Sequence, residues 1–207
     1  MRSIANTSNE LIGYNIATSS RLPPPSGKIK EYWLGGNGVF ARAARKEIDV
    51  CVQLCKVNIL GLPAIEPYFT FALPLVPQEL VTQMLKLSQD NGAKEILFYL
   101  CFKEEWQLFV PQQLRSDRSV TPILVERSSY DTAIIEVHSH HRMKAIFSPV
   151  DDNEESGKFR LFAVLGEIFT RPTINVRLGI YDTFCPVAAS KIFELPPNLI
   201  DANRFIL

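Results

Sequence analysis

The sequence predicts a mixed α/β (α+β) chain: a small β-rich region over residues 1–74, a mixed β-sheet domain over 75–195 and a tail over 196–207. Three observations predict it. Strand-like alternation dominates 31–57, breakers crowd 61–74, and one helical repeat then leads into a series of apolar strand-like runs. Taken in order, the first twenty-odd residues are polar and end in Leu22-Pro23-Pro24-Pro25-Ser26-Gly27, which reads as an arm. From Glu31 to Val57, Ile48, Val50 and Val52 alternate with more polar neighbours around a turn at Asn37-Gly38. Gly61-Leu62-Pro63, Glu66-Pro67 and Leu73-Pro74 read as a connection. Val76-Pro77-Gln78-Glu79 opens a helix in which Leu80, Met84, Leu85 and Leu87 recur at helical spacing, and Asn91-Gly92 closes it. Strands are then expected at 95–102 and 106–110, joined by a hairpin at Lys103-Glu104-Glu105, and at 132–140. A polar, irregular segment runs to Lys158, before strands at 159–168 and 174–181 and a final apolar stretch at 187–193.

Composition narrows the function classes. The 207 residues carry 22 Lys+Arg against 22 Asp+Glu, so the surface has no cationic excess with which to capture nucleic acid or an anionic membrane. The apolar run Ile96 to Phe102 is far shorter than the roughly 20 residues that span a bilayer. Met1-Arg2-Ser3-Ile4-Ala5-Asn6 lacks the apolar segment of a secretory signal, and Cys51, Cys55, Cys101 and Cys185 make no CxxC pair. A cytoplasmic protein with reduced thiols is expected. HExxH, GxSxG and a phosphate-binding GKS/T loop are absent from the sequence. Gly36-Asn37-Gly38-Val39-Phe40-Ala41 fits the dinucleotide pattern GxGxxA, but strand rather than helix follows it, so it reads as a hairpin turn. Cys51 and Cys55 have no histidine nearby and read as packing residues.

The three histidines of the chain are His138, His140 and His141. Three histidines placed at random would fall that close together roughly once in two thousand sequences, so composition alone nominates a site. In a strand, residues i and i+2 leave the same face, which sends His138 and His140 into one space and His141 the other way. Two imidazoles and a carboxylate make a zinc site that leaves a fourth position for water, and Asp151 in Ser148-Pro149-Val150-Asp151 is the nearby carboxylate.

His138-Ser139-His140 followed by Ser148-Pro149-Val150-Asp151 resembles the JAMM motif, HxHxxxxxxxSxxD, of the MPN/Mov34 metalloenzymes. The family usually has proline after the second histidine, where this chain has His141. Met143, Ala145 and Phe147, the run Asp151-Asp152-Asn153-Glu154-Glu155, Phe162 to Gly166, Arg171-Pro172 and Val176 to Tyr181 are similar to the PRTRC-cassette branch of the family. That bacterial, often plasmid-borne system is named for its ParB-related and ThiF-related members. Gly36 to Phe40 and Gly61-Leu62-Pro63 fit the same branch more loosely.

The resemblance implies a cytidine-deaminase-like core, a mixed sheet flanked by helices. It also implies zinc held by His138, His140 and Asp151, Glu95 as the general acid–base, and Ser148 as the donor to the oxyanion. Glu136 is the rival to Glu95, sharing a strand face with His138, and is better placed as a supporting group. The activity implied is hydrolysis of an amide or isopeptide bond, with a small ubiquitin-like protein and a ThiF-like protein of the cassette as partners. An inactive scaffold binding a cassette partner is the alternative, and hydrolysis of a small amide a third reading. The intact ligand set favours the enzyme.

Overall fold

The computed structural model describes residues 10–115, 120–122 and 127–204. The chain divides into two compact units, Met1–Leu73 and Pro74–Leu207, each built on its own mixed sheet, with few helices. No helix among the described residues is long and apolar enough to cross a membrane.

The first unit is a five-stranded sheet in chain order: β1 (Ile12–Ile16), β2 (Lys30–Gly35), β3 (Gly38–Arg45), β4 (Ile48–Lys56) and β5 (Tyr68–Phe71). β1 runs parallel to β2, and the remaining neighbours are antiparallel. Trp33, Phe40, Cys51 and Ile65 form its buried cluster, so Cys51 serves as a small core residue while Cys55 is exposed. The Gly36-Asn37-Gly38 turn is a β2–β3 hairpin connection. A Cβ on Gly36 would lie 2.1 Å from the Leu62 carbonyl oxygen and one on Gly38 2.1 Å from that of Cys55, so close backbone approach explains both glycines. Asn37 ties this turn to the Gly61–Ile65 loop: its amide nitrogen donates to the Ile65 carbonyl at 2.8 Å and its amide oxygen accepts from the Ile65 N–H at 2.9 Å.

The second unit opens with α1 (Gln78–Asp90), which starts after Pro77 and ends at Asn91-Gly92, where Gly92 takes the left-handed φ of 69°. Its buried stripe is Val81, Met84, Leu85 and Ser88. Then come β6 (Leu97–Phe102), β7 (Trp106–Phe109), a two-stranded ladder of β8 (Gln113–Arg115) and β9 (Val120–Pro122), and α2 (Arg127–Thr132). β10 (Ile135–Ser139), α3 (Pro149–Glu155), β11 (Lys158–Gly166), β12 (Thr173–Tyr181), β13 (Thr183–Val187) and β14 (Ile200–Asp201) complete it. The sheet order is β13-β12-β11-β10-β6-β7, with β14 also on β12. β10 lies inside the sheet, parallel to β11 and antiparallel to β6. Both faces of β10 are buried, and so is β11 from Arg160 onward, which explains why β11 reads as a near-continuous apolar run over Leu161–Leu165 rather than an alternating one.

Three expectations are revised. The strand expected over 132–140 begins only at Ile135, because the residues through Thr132 are helical. The segment before Lys158 is not wholly irregular, since α3 forms within it. The first twenty-odd residues are not all arm, since β1 forms within them and pairs with β2. In the tail after 195, Ile200 pairs with Thr173, and the buried Asp201 carboxylate accepts from the N–H groups of Ser190 and Asn203.

Candidate metal centre

Register brings the site together. His138 pairs with Leu97 across the antiparallel β10–β6 ladder. One residue further, Ser139 meets Ile96. Ser139 locks the alignment, donating its N–H to the Ile96 carbonyl at 3.1 Å and accepting the Ile96 N–H on its hydroxyl at 3.2 Å. On the other side the His140 N–H donates to the Leu165 carbonyl at 2.7 Å, extending the alignment with β11 one residue past the strand end.

The two imidazoles converge as strand parity predicts, His138 Nε2 lying 3.1 Å from His140 Nε2. Asp151 Oδ1 is 3.3 Å from His138 Nε2, and the ligand atoms of His138, His140 and Asp151 all lie within 4.8 Å of one another. Ligand atoms on one tetrahedral zinc with bonds of about 2.0–2.1 Å sit roughly 3.3 Å apart, so two of the three pairs already have that spacing. Glu95, buried, places Oε1 4.0 Å from His140 Nε2.

Asp151 owes its aim to α3. Ser148 is the N-cap, Pro149 follows at the first helical position, and Asp151 completes a capping box. Asp151 Oδ2 accepts from the Ser148 N–H, which leaves Oδ1 turned to the imidazoles. Ser148 Oγ accepts from the Asp151 N–H at 3.3 Å, and its own hydroxyl hydrogen stays available to donate.

The donor set suits a divalent cation. His140 Nδ1 is 3.3 Å from the Lys144 carbonyl oxygen, which can only accept, so Nδ1 carries the hydrogen and Nε2 of the neutral ring carries the lone pair. Burial pushes the pKa of both His138 and His140 below 6.5, and Asp151 pulls the other way. Two neutral imidazoles and a carboxylate oxygen aimed at one buried point are the protonation states zinc requires.

Of the expected site residues, His138, His140, Asp151 and Glu95 are gathered, and Ser148 sits at the cap that orients Asp151. Glu136 is engaged elsewhere, its Oε1 lying 2.7 Å from Arg160 Nη1 and 3.1 Å from Lys158 Nζ. His141 is buried but lies outside the ligand cluster; its Nδ1 accepts from the Arg142 N–H at 2.9 Å. Its φ of 32° is one that proline, fixed near −65°, cannot adopt, so the turn after the second histidine differs from one built on proline.

Sequence reasoning did not assign a role to Arg177 or Phe147. Arg177 Nε donates to Glu155 Oε2 at 2.8 Å and Nη1 donates to Asp152 Oδ1. The signal available was a lone arginine in the apolar run Val176 to Tyr181, facing an i, i+3 acidic pair. Burial pushes the Glu155 carboxyl up, and the Arg177 guanidinium opposes that rise. Compared with known proteins, the chain matches no family model and no curated protein.

Proposed function

We propose that the chain is a zinc-dependent hydrolase of JAMM type, with an MPN-like core in its second unit, that cleaves an amide or isopeptide bond. The observation that carries this reading is the convergence of His138, His140 and Asp151, with Glu95 Oε1 4.0 Å from His140 Nε2. The JAMM spacing supports it, since the residues that define the motif are the ones that meet in space.

Bound zinc supplies a water acidified toward neutrality and a Lewis acid for the substrate carbonyl. Within that setting Glu95 takes the proton of the attacking water on its carboxylate and returns it to the leaving amine. The Ser148 hydroxyl donates to the carbonyl oxygen as charge gathers there. His140 is kept in its ligand tautomer by the Lys144 carbonyl, and Asp151 by the capping box.

The substrate we propose is the tail of a ubiquitin-like protein, processed or released beside a ThiF-like partner, as the PRTRC resemblance suggests. The absence of any disulfide among the four cysteines is compatible with the reducing cytoplasm we propose as its compartment. Mass spectrometry of the small ubiquitin-like partner tests this. Incubation with wild type should change its C-terminus or release its conjugate, and Glu95→Gln should leave both unchanged. No change with zinc-loaded wild type would overturn the proposed substrate.

A further inference from the structure

We propose that Arg177 is a positioning residue of the zinc centre, clamping the helix that carries Asp151 onto the sheet and backing His138 through Phe147. The inference rests on the zinc reading of His138, His140 and Asp151.

Arg177 lies midway along β12 and is 8% exposed, an uncommon place for a fixed positive charge. Its guanidinium is filled from two sides. Towards α3, Nε and Nη2 lie 2.8 and 2.7 Å from Glu155 Oε2, and Nη1 meets Asp152 Oδ1. Its planar faces meet two aromatic rings, the guanidinium carbon lying 3.8 Å from the Phe147 centroid and 3.9 Å from that of Phe184.

Both sets of contacts lead to zinc ligands. Asp152 is the residue after Asp151, and Glu155 ends the same helix. A helix of seven residues has too few internal bonds to hold itself, so it depends on what anchors it. The capping box fixes the first turn and sets the Asp151 rotamer; the arginine fixes the body of the helix and so sets the distance from Asp151 to the imidazoles. Phe147, stacked on Arg177, also stands edge-on to His138, with centroids 6.4 Å apart and planes at 73°. One buried side chain therefore supports a carboxylate ligand and an imidazole ligand at once.

Charge alone makes the opposite prediction. A guanidinium near a cation site repels the cation, and removing it also unmasks two carboxylates, so simple electrostatics expects Arg177→Met to bind zinc more tightly. Positioning expects weaker binding. Arg177→Lys keeps the charge but loses the planar fork; positioning again expects a loss, and charge expects none.

The test is zinc affinity of the full-length chain by competition with a chromophoric chelator, with circular dichroism of the metal-free proteins and the absorption spectrum of the Co2+ forms. Wild type should bind one zinc, and Arg177→Met and Arg177→Lys should bind it about 10- to 100-fold more weakly, the usual effect of losing a group that orients a ligand. Their Co2+ spectra should lose the intensity of a tetrahedral site. If Arg177→Met fails to fold, Arg177→Lys alone decides. A folded variant with wild-type or tighter affinity and an unchanged Co2+ spectrum would overturn the clamp while leaving the zinc site standing. A wild type that binds no zinc would overturn the zinc reading and the clamp with it.

Discussion

At the residue scale, the roles proposed for Glu95 and for the ligands are separable, and substitution should separate them. Glu95→Gln preserves size and leaves all three ligands in place. It is expected to keep zinc at wild-type stoichiometry while lowering kcat by about 10²–10⁴-fold, the range for losing a general acid–base. Metal analysis beside a peptidase assay checks this; loss of zinc in Glu95→Gln would instead make Glu95 a ligand. The proposed ligand set was legible in the sequence because strand parity and local spacing carry it: His138 and His140 are two apart, and Asp151 closes a short capping box. Glu95 was reachable only through resemblance, since its place depends on a register between β6 and β10 that no local pattern encodes. The tie of Glu136 to Arg160 and Lys158, and that of Arg177 to Asp152 and Glu155, are likewise contacts between distant residues, invisible to periodicity.

At the scale of elements, α3 shows how one short signal can carry two meanings. Ser148-Pro149-Val150-Asp151 reads as a metal motif and is a helix start, and reading it only as the former hid the helix. Ser148→Ala is therefore expected to lower stability by about 1 kcal/mol through loss of the cap. It should also lower kcat by about 10²–10³-fold through loss of an oxyanion donor. Denaturant titration and steady-state kinetics on the same preparation measure both; a stability loss with unchanged kcat would leave Ser148 a cap only. The segment after the histidines is held against β11 just as closely. A Cβ on Gly166 would lie 2.2 Å from the Ala145 nitrogen and 2.5 Å from the Lys144 carbonyl carbon. Gly166→Ala is thus expected to cost about 1–3 kcal/mol, as overpacking does. It should also weaken zinc binding, because the Lys144 carbonyl that orients His140 must move. An unfolding midpoint equal to wild type would contradict the close packing. The strand order of the second unit could not be read from the sequence either, because β10 pairs with β6 across β7, β8, β9 and α2, and with β11 across α3.

At the scale of the whole molecule, the proposed centre lies entirely within Pro74–Leu207, and its metal-free form should report its buried histidines through global stability. Burial lowers the pKa of His138 and His140 in the folded state, so below pH 6.5 the unfolded chain binds more protons than the folded one. Their contribution is complete above pH 6.5 and is lost as pH falls through the lowered values. Urea unfolding of metal-free protein between pH 7.5 and 5 should show a falling midpoint, and the His138→Ala, His140→Ala double variant a flatter profile. Identical slopes would mean that the imidazoles are already solvated. The central claim, that His138, His140 and Asp151 are one zinc site, is tested most directly by metal content of chain purified under zinc-replete conditions. One zinc per wild-type chain, lost in both His138→Ala and Asp151→Ala, is the expected result; wild type without stoichiometric zinc, or either variant retaining it, would contradict the account.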